Sequence, residues 1–173
     1  ITQPNKIAII FEADNGDITN VSYKELYQKV CQFSNGLKTF NLDLGDRVLI
    51  YLPMGIEAVV AMLACARIGL THSVVFGGFS GKSIQERIKD AQAKLVITAD
   101  IQFRGGKTLP LKSAVDEAFN LGGCETVIST IVLKKSKEVI GLKAKEIWWH
   151  ELIKNQSVDW FLISSCHQIS LAF

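Results

Sequence analysis

Residues 45–100, GDRVLIYLPMGIEAVVAMLACARIGLTHSVVFGGFSGKSIQERIKDAQAKLVITAD, decide the fold. Short β-branched runs alternate here with segments of helical period. Residues 47–52 read as a strand stopped by Pro53, and 56–68 as a helix closed by Gly69. Residues 73–76 read as the next strand, which runs into Gly77-Gly78. Ser80 or Ser83 then caps a helix to about Asp90, and 95–98 follows as a third strand. VLIYL and SVVF are apolar on both faces, as strands covered on both sides must be. Strands separated by crossover helices specify an α/β fold: a parallel, Rossmann-like sheet with helices on both faces and ligands at the strand carboxyl ends.

Upstream, residues 7–11 form a β-like run that ends in the polar turn Asp14-Asn15-Gly16-Asp17. Ser22 precedes Glu25 by three residues, a capping box. It opens a helix to about Lys38, in which Leu26, Val30, Phe33 and Leu37 keep helical spacing. Downstream, 100–108 reads as an irregular loop, and Pro110 stands near the start of a helix to about Leu121. Residues 126–133 are a further β-rich run, and a charged stretch, 134–138, leads toward Trp148-Trp149-His150. The logic ends near Ser157. The sequence thus divides into residues 1–157, one α/β unit, and a largely apolar tail, 158–173.

The chain of 173 residues is long enough for a substantial core, and 48% hydrophobic with 21% charged is ordinary for a globular domain. A net charge of +2 is too small to point to nucleic acid or an anionic membrane as partner. The longest apolar run, 58–66, is too short to span a bilayer and lies between Glu57 and Arg67. No signal peptide opens the chain, and its first residue, Ile1, suggests a piece of something longer. Cys31, Cys65, Cys124 and Cys166 are scattered, without a Cys-x-x-Cys, and read as reduced thiols in a cytoplasmic setting. Cys65 falls on the apolar face of a helix, a poor place for a nucleophile.

Two clusters bear on chemistry. In Phe76-Gly77-Gly78, backbone free of Cβ can approach a phosphate, ribose or purine closely, although a tight strand-to-helix connection needs the same residues. In Arg104-Gly105-Gly106-Lys107, two cations flank glycines and can converge on a phosphate; a solvated basic loop is the alternative. Both loops follow strands, so both belong to one edge of the sheet and line one crevice. His72 reads as a packed histidine, His150 as part of an aromatic cluster, and Lys134, Lys135 and Lys137 as a solvated face. No catalytic dyad or triad and no metal-ligand spacing is visible.

These residues resemble the acetyl-CoA synthetase group of the acyl-adenylate-forming enzymes. The likeness covers roughly 7–153 and is densest over GDRVLIYLPMGIEAVVAMLACARIGLTHSVVFGGFS, LVITAD, RGGKTLPLK with VDEA, and IWWHEL. The resemblance implies the large-domain fold of that family and a two-step ligase. A short carboxylate attacks the α-phosphate of MgATP to give an acyl-adenylate and pyrophosphate. The CoA thiol then displaces AMP. It further implies that Phe76, Gly77 and Gly78 border the CoA adenine and ribose, and that Arg104 and Lys107 hold CoA phosphates. Lys107 stands where many members have Arg, which keeps the charge and loses the fork.

The family's Ser/Thr/Gly-rich phosphate loop, due soon after Trp148-Trp149-His150, does not occur, nor do the acyl pocket and the adenine and ribose motifs. The resemblance is therefore to the N-terminal part of a synthetase. Its ATP and Mg sites lie elsewhere, its small-molecule partners are acetate, ATP and CoA, and uncovered apolar surface invites self-association. A propionate-activating relative, a non-catalytic α/β module holding a nucleotide or CoA, and a scaffolding piece are the competing readings.

Overall fold

In the computed structural model, which describes residues 2–138 and 140–159, Ser22 does what the capping box requires. Its Oγ accepts from the Glu25 N–H at 3.3 Å, the Glu25 carboxylate accepts from the Ser22 N–H at 2.8 Å, and helix α1 runs Tyr23–Lys38. Its Val30, Phe33 and Leu37 are buried on one stripe. The strands β1, Ile7–Glu12, and β2, Ile18–Ser22, that precede it pair antiparallel as a separate hairpin. The first β-like run thus stays outside the main sheet.

That sheet is built from β3 (Arg47–Tyr51), β4 (Thr71–Val74), β5 (Leu95–Ala99), β8 (Ser129–Leu133) and β9 (Glu146–Trp148). All its pairings are parallel, and the order is β4-β3-β5-β8-β9. The connecting helices are α2 (Ile56–Arg67), α3 (Gly81–Ala91) and α4 (Leu111–Asn120). The chain moves from β3 outward to β4, then passes back over β3 to β5 and onward to β8. Right-handed crossovers put α2 on one face of the sheet and α3 and α4 on the other. The packing agrees: α1 lies against α2, and α3 against α4.

Every residue of β5 and β8 is buried, and Leu49, Ile50, Ile97 and Ile131 have no exposed surface. Burying each such side chain stabilises the fold by roughly 1.5–3 kcal/mol. Helix α5, Trp149–Ile153, closes the α1 side. The Trp149 ring stacks on Phe33 at 3.6 Å and 9°, and a Cβ on Gly36 would meet Leu152 Cγ at 2.9 Å. The Trp-Trp-His cluster therefore divides: Trp149 enters the core, while exposed His150 stacks on Trp148 at 6.0 Å.

Three expectations shift. Strand β4 begins at Thr71 rather than Ser73 and ends at Val74; Val75 still donates to Ile50 O at 2.8 Å, and Phe76 is released into the turn. The stretch expected as an irregular loop, 100–108, folds instead as a hairpin of β6 (Gln102–Arg104) and β7 (Lys107–Leu109). Gly105 and Gly106, at φ 55° and 73°, supply the two left-handed residues of its two-residue turn. Strand β9 extends the sheet where only an aromatic cluster was anticipated. Residues 160–173 of the anticipated tail lie outside the described residues.

Candidate functional site

Strands β3 and β5 are neighbours whose following loops leave toward opposite faces, so their carboxyl ends, Tyr51 and Ala99, flank the switch point of the sheet. The β4–α3 connection crosses this point. Tyr51, 1% exposed, holds it: its hydroxyl accepts from the Gly78 N–H at 3.1 Å and donates to Phe79 O at 3.0 Å. Burial raises the Tyr51 hydroxyl above its ordinary value, with the Gly78 bond opposing, so the phenol stays a proton donor at neutral pH. Gly78 sits at φ +107°, where a side chain would be strained. Ser80 then caps α3, accepting from the Ser83 N–H at 3.3 Å.

The β6–β7 ribbon packs one face against that turn. Gln102 pairs with Leu109 at its base and Arg104 with Lys107 at its tip, so these four side chains share a face. At the base, a Cβ on Gly77 would fall 1.9 Å from Gln102 Oε1, and one on Gly78 would touch Leu109 Cδ1 at 4.0 Å. A side chain at 77 would therefore have to displace the end of Gln102. At the tip, the Arg104 guanidinium carbon lies 4.8 Å from the centre of the half-exposed Phe76 ring. The two loops singled out in the sequence thus meet at Phe76, Gly77, Gly78 and Arg104, Lys107 stands opposite Arg104 at the ribbon tip, and the space between turn and ribbon is the candidate crevice. Asp14, from the β1–β2 turn, fixes the tip by accepting from the Gly105 N–H at 2.6 Å.

Among the described residues, no carboxylate lies within ion-pair distance of Arg104 or Lys107. Like charges directly opposite on a two-stranded ribbon are unfavourable unless an anion sits between them. An exposed aromatic ring beside glycine backbone and paired cations suits a base joined to phosphates. Clefts of about 290 and 360 Å³ lie elsewhere, one along Ser83, Glu86, Arg87 and Asp90, the other beside Phe119, Ser129 and Glu146.

Two residues of this edge escaped the reading of the sequence. Tyr51 is one. The other is Asp100, 2% exposed, at the end of β5. Its carboxylate accepts from the N–H groups of Ile101 (2.8 Å), Lys135 (2.7 Å) and Ser136 (3.0 Å) and from Ser136 Oγ (2.6 Å). Burial alone raises this carboxyl, but the hydrogen bonds outweigh it and hold the group below its ordinary value. Asp100 so pins the loop after β8 to the sheet. Lys134, Lys135 and Lys137 on that loop are exposed, and Lys135 pairs with Glu57 at 3.2 Å.

Among the described residues, no three His, Cys, Asp or Glu side chains gather as metal ligands. Cys31, Cys65 and Cys124 are free and buried, and burial pushes the Cys65 thiol up to about 12, far from a thiolate at neutral pH.

The sequence model of the AMP-binding enzymes matches residues 2–159. The chain belongs to the AMP-binding enzyme family. The acetyl-coenzyme A synthetase of Methylobacillus flagellatus is 61% identical over 149 residues, 86% of this chain and 23% of the relative. That of Thiobacillus denitrificans is 56% identical over 156 residues, 90% of this chain and 24% of the relative. The chain therefore spans about a quarter of the length of these AMP-binding relatives. Among solved structures, acetoacetyl-CoA synthetase from Streptomyces lividans superposes with a TM-score of 0.81 over 90% of this chain and 24% of its own; at 24% identity this establishes the shared fold. No helix among the described residues is long and apolar enough to cross a membrane.

Proposed function

We propose that this chain is the N-terminal part of the large domain of an AMP-forming acetate–CoA ligase of the cytoplasm, and that its crevice holds the nucleotide end of CoA. The reaction of the longer protein joins acetate to the α-phosphate of ATP, releases pyrophosphate, and passes the acetyl group from the adenylate to the CoA thiol with loss of AMP. Within it, Phe76, Gly77 and Gly78 border the adenine and ribose of CoA, and Arg104 and Lys107 face its phosphates. The same reading assigns ATP and Mg to the part of its relatives that this chain does not span. The observation that carries the reading is the convergence of the two glycine turns, with the Arg104 guanidinium 4.8 Å from the Phe76 ring centre, in a chain 54–61% identical to acetyl-coenzyme A synthetases.

Calorimetric titration of the chain with CoA, with 3′-dephospho-CoA, and of the Arg104→Ala variant with CoA tests this. Saturable CoA binding is expected, weakened about tenfold or more in the variant, the scale of one charge-assisted bidentate contact. A folded chain that ignores CoA would sink the assignment of this crevice. Acetate-dependent release of pyrophosphate from ATP is expected to be absent from the chain alone; its appearance would place an ATP site here.

A further inference from the structure

The amino ends of β8 and β9 lie at the opposite end of the sheet from the crevice, and the cleft of about 360 Å³ opens there, on the face that α4 covers. Phe119 and Val127 give it an apolar wall, and Thr130, Lys143, Lys145 and Glu146 give it polar groups. Two of these groups have no partner among the described residues. Thr130 is 2% exposed, and its hydroxyl makes no hydrogen bond there. Lys145 is exposed, and no carboxylate lies within ion-pair distance of its ammonium. Lys145 also stands at φ 68°, a left-handed conformation that a lysine adopts only where its surroundings impose it. They do so through its carbonyl, which accepts from Ser129 Oγ at 2.8 Å and from the Thr130 N–H at 2.9 Å. Glycine would take that conformation without strain, so the turn does not account for the lysine side chain.

We propose that this cleft is a second binding site, for a small monocarboxylate with an apolar body: the Lys145 ammonium and the Thr130 hydroxyl donate to the carboxylate, and Phe119 and Val127 cover the body. The site goes beyond the CoA reading and does not depend on it. Its preference for one negative charge follows from the neighbours, which are already matched. Glu146 accepts from Lys112 Nζ at 2.8 Å with one oxygen and from the Lys143 N–H at 2.8 Å with the other. Lys143 pairs with Asp116 at 2.9 Å, and Glu125 accepts from the Gly123 N–H at 2.9 Å. Lys145 is the cation left over, and one ammonium answers one carboxylate. Glu125 and Glu146, both lining the cleft, repel a second negative charge, which disfavours phosphates. A buried hydroxyl without a partner is unfavourable, and a bound carboxylate supplies the acceptor it lacks. An apolar wall beside a few convergent polar groups, in a volume of this size, suits a ligand about as large as one ring.

NMR titration of the 173-residue chain with benzoate, benzamide and acetate tests this. Benzoate carries both body and charge, benzamide the body alone, and acetate the charge alone. Benzoate should saturate, moving the amide signals of Phe119, Val127, Thr130 and Lys145, and should bind about fivefold or more tightly than either half-ligand. Lys145→Gly suits the left-handed backbone and so keeps the fold; it should weaken benzoate about five- to tenfold and leave benzamide within about twofold. Thr130→Val keeps the shape of the side chain without its hydroxyl and should weaken benzoate about two- to fivefold. Circular dichroism confirms that each variant is folded.

Benzoate bound no better than benzamide, or bound equally well by the parent and by Lys145→Gly, overturns the proposal, as do shifts confined to signals outside the cleft. Arg104→Ala, at the other end of the sheet, should bind benzoate as the parent does. A loss of benzoate binding in that variant would move the carboxylate to the crevice and overturn the second site, whereas a chain that binds benzoate and ignores CoA would lose the CoA reading alone.

Discussion

Lys112, in the first turn of α4, lies 2.6 Å from Asp116 Oδ1 and 2.8 Å from Glu146 Oε1, and Lys143 reaches Asp116 at 2.9 Å. Arg104 and Lys107, a few residues earlier in the chain, have no such partner among the described residues. In the first cluster the side chains of Lys112 and Glu146 are 9% and 4% exposed; in the second both cations face solvent. A buried charge must be matched within the fold, because desolvation leaves it no other counterion. An exposed one need not be, and two placed directly opposite each other cost stability in the absence of an anion. The first cluster is thus complete without a ligand: it fastens α4 to β9. The second has no counterion within the described fold, which is the place the proposed phosphate contact would fill.

Lys112→Met should break the comparison most visibly. It strands the buried Glu146 carboxylate and half of the Asp116 pairing, at a cost of about 3–5 kcal/mol in chemical denaturation. Lys112→Met combined with Glu146→Leu should recover much of that loss, since an apolar pair of similar volume needs no counterion. If the single variant is as stable as the parent, the cluster is not the fastening described.

Asp100→Asn comes next, at about 2–3 kcal/mol, because an amide cannot accept from every donor that the carboxylate serves. Its pH dependence is the sharper reading. The folded carboxyl lies below its ordinary value, so the folded state binds fewer protons than the unfolded chain through that range. The stability it contributes is fully present above the ordinary carboxylate range of about 4 and is lost as pH falls through the lower folded value. The gap between parent and variant should therefore hold constant at neutral pH and close on acidification. A gap that persists under acid would mean that shape, not charge, fixes the loop.

The parallel sheet was legible because its inner strands are rich in apolar and β-branched residues with no charge among them in β5 and β8, and α1 because Ser22 and Glu25 satisfy each other locally. The two halves of the crevice were legible as glycine turns after strands. The ribbon was not, since three-residue strands are too short to show alternation, although Gly105-Gly106 between residues able to pair is itself a hairpin signal. Tyr51 ends a run that reads as plain core, and nothing local distinguishes its hydroxyl. The partners of Asp100 in the loop after β8 stand 35 and 36 residues away, and Glu146 becomes a partner of Lys112 only once β9 is laid beside β8. Pairings of that reach follow from topology, and no local pattern announces them.

Lys107→Arg should have the smallest effect and ask the finest question of the unpaired pair. Residue 107 lies opposite Arg104 at the end of the ribbon, and it is exposed, so the longer side chain meets no wall and stability should change by less than about 0.5 kcal/mol. Net charge is unchanged, so the slope of CoA affinity against salt should also be unchanged, because that slope counts charges. The second fork can nevertheless bind phosphate oxygens in pairs where an ammonium meets them singly, and CoA should bind about two- to fivefold more tightly. A gain at constant salt slope assigns the improvement to geometry. No gain would mean that Lys107 acts as a point charge beside an Arg104 that already supplies the directional contact, and the two cations, though opposite each other, would then have different roles.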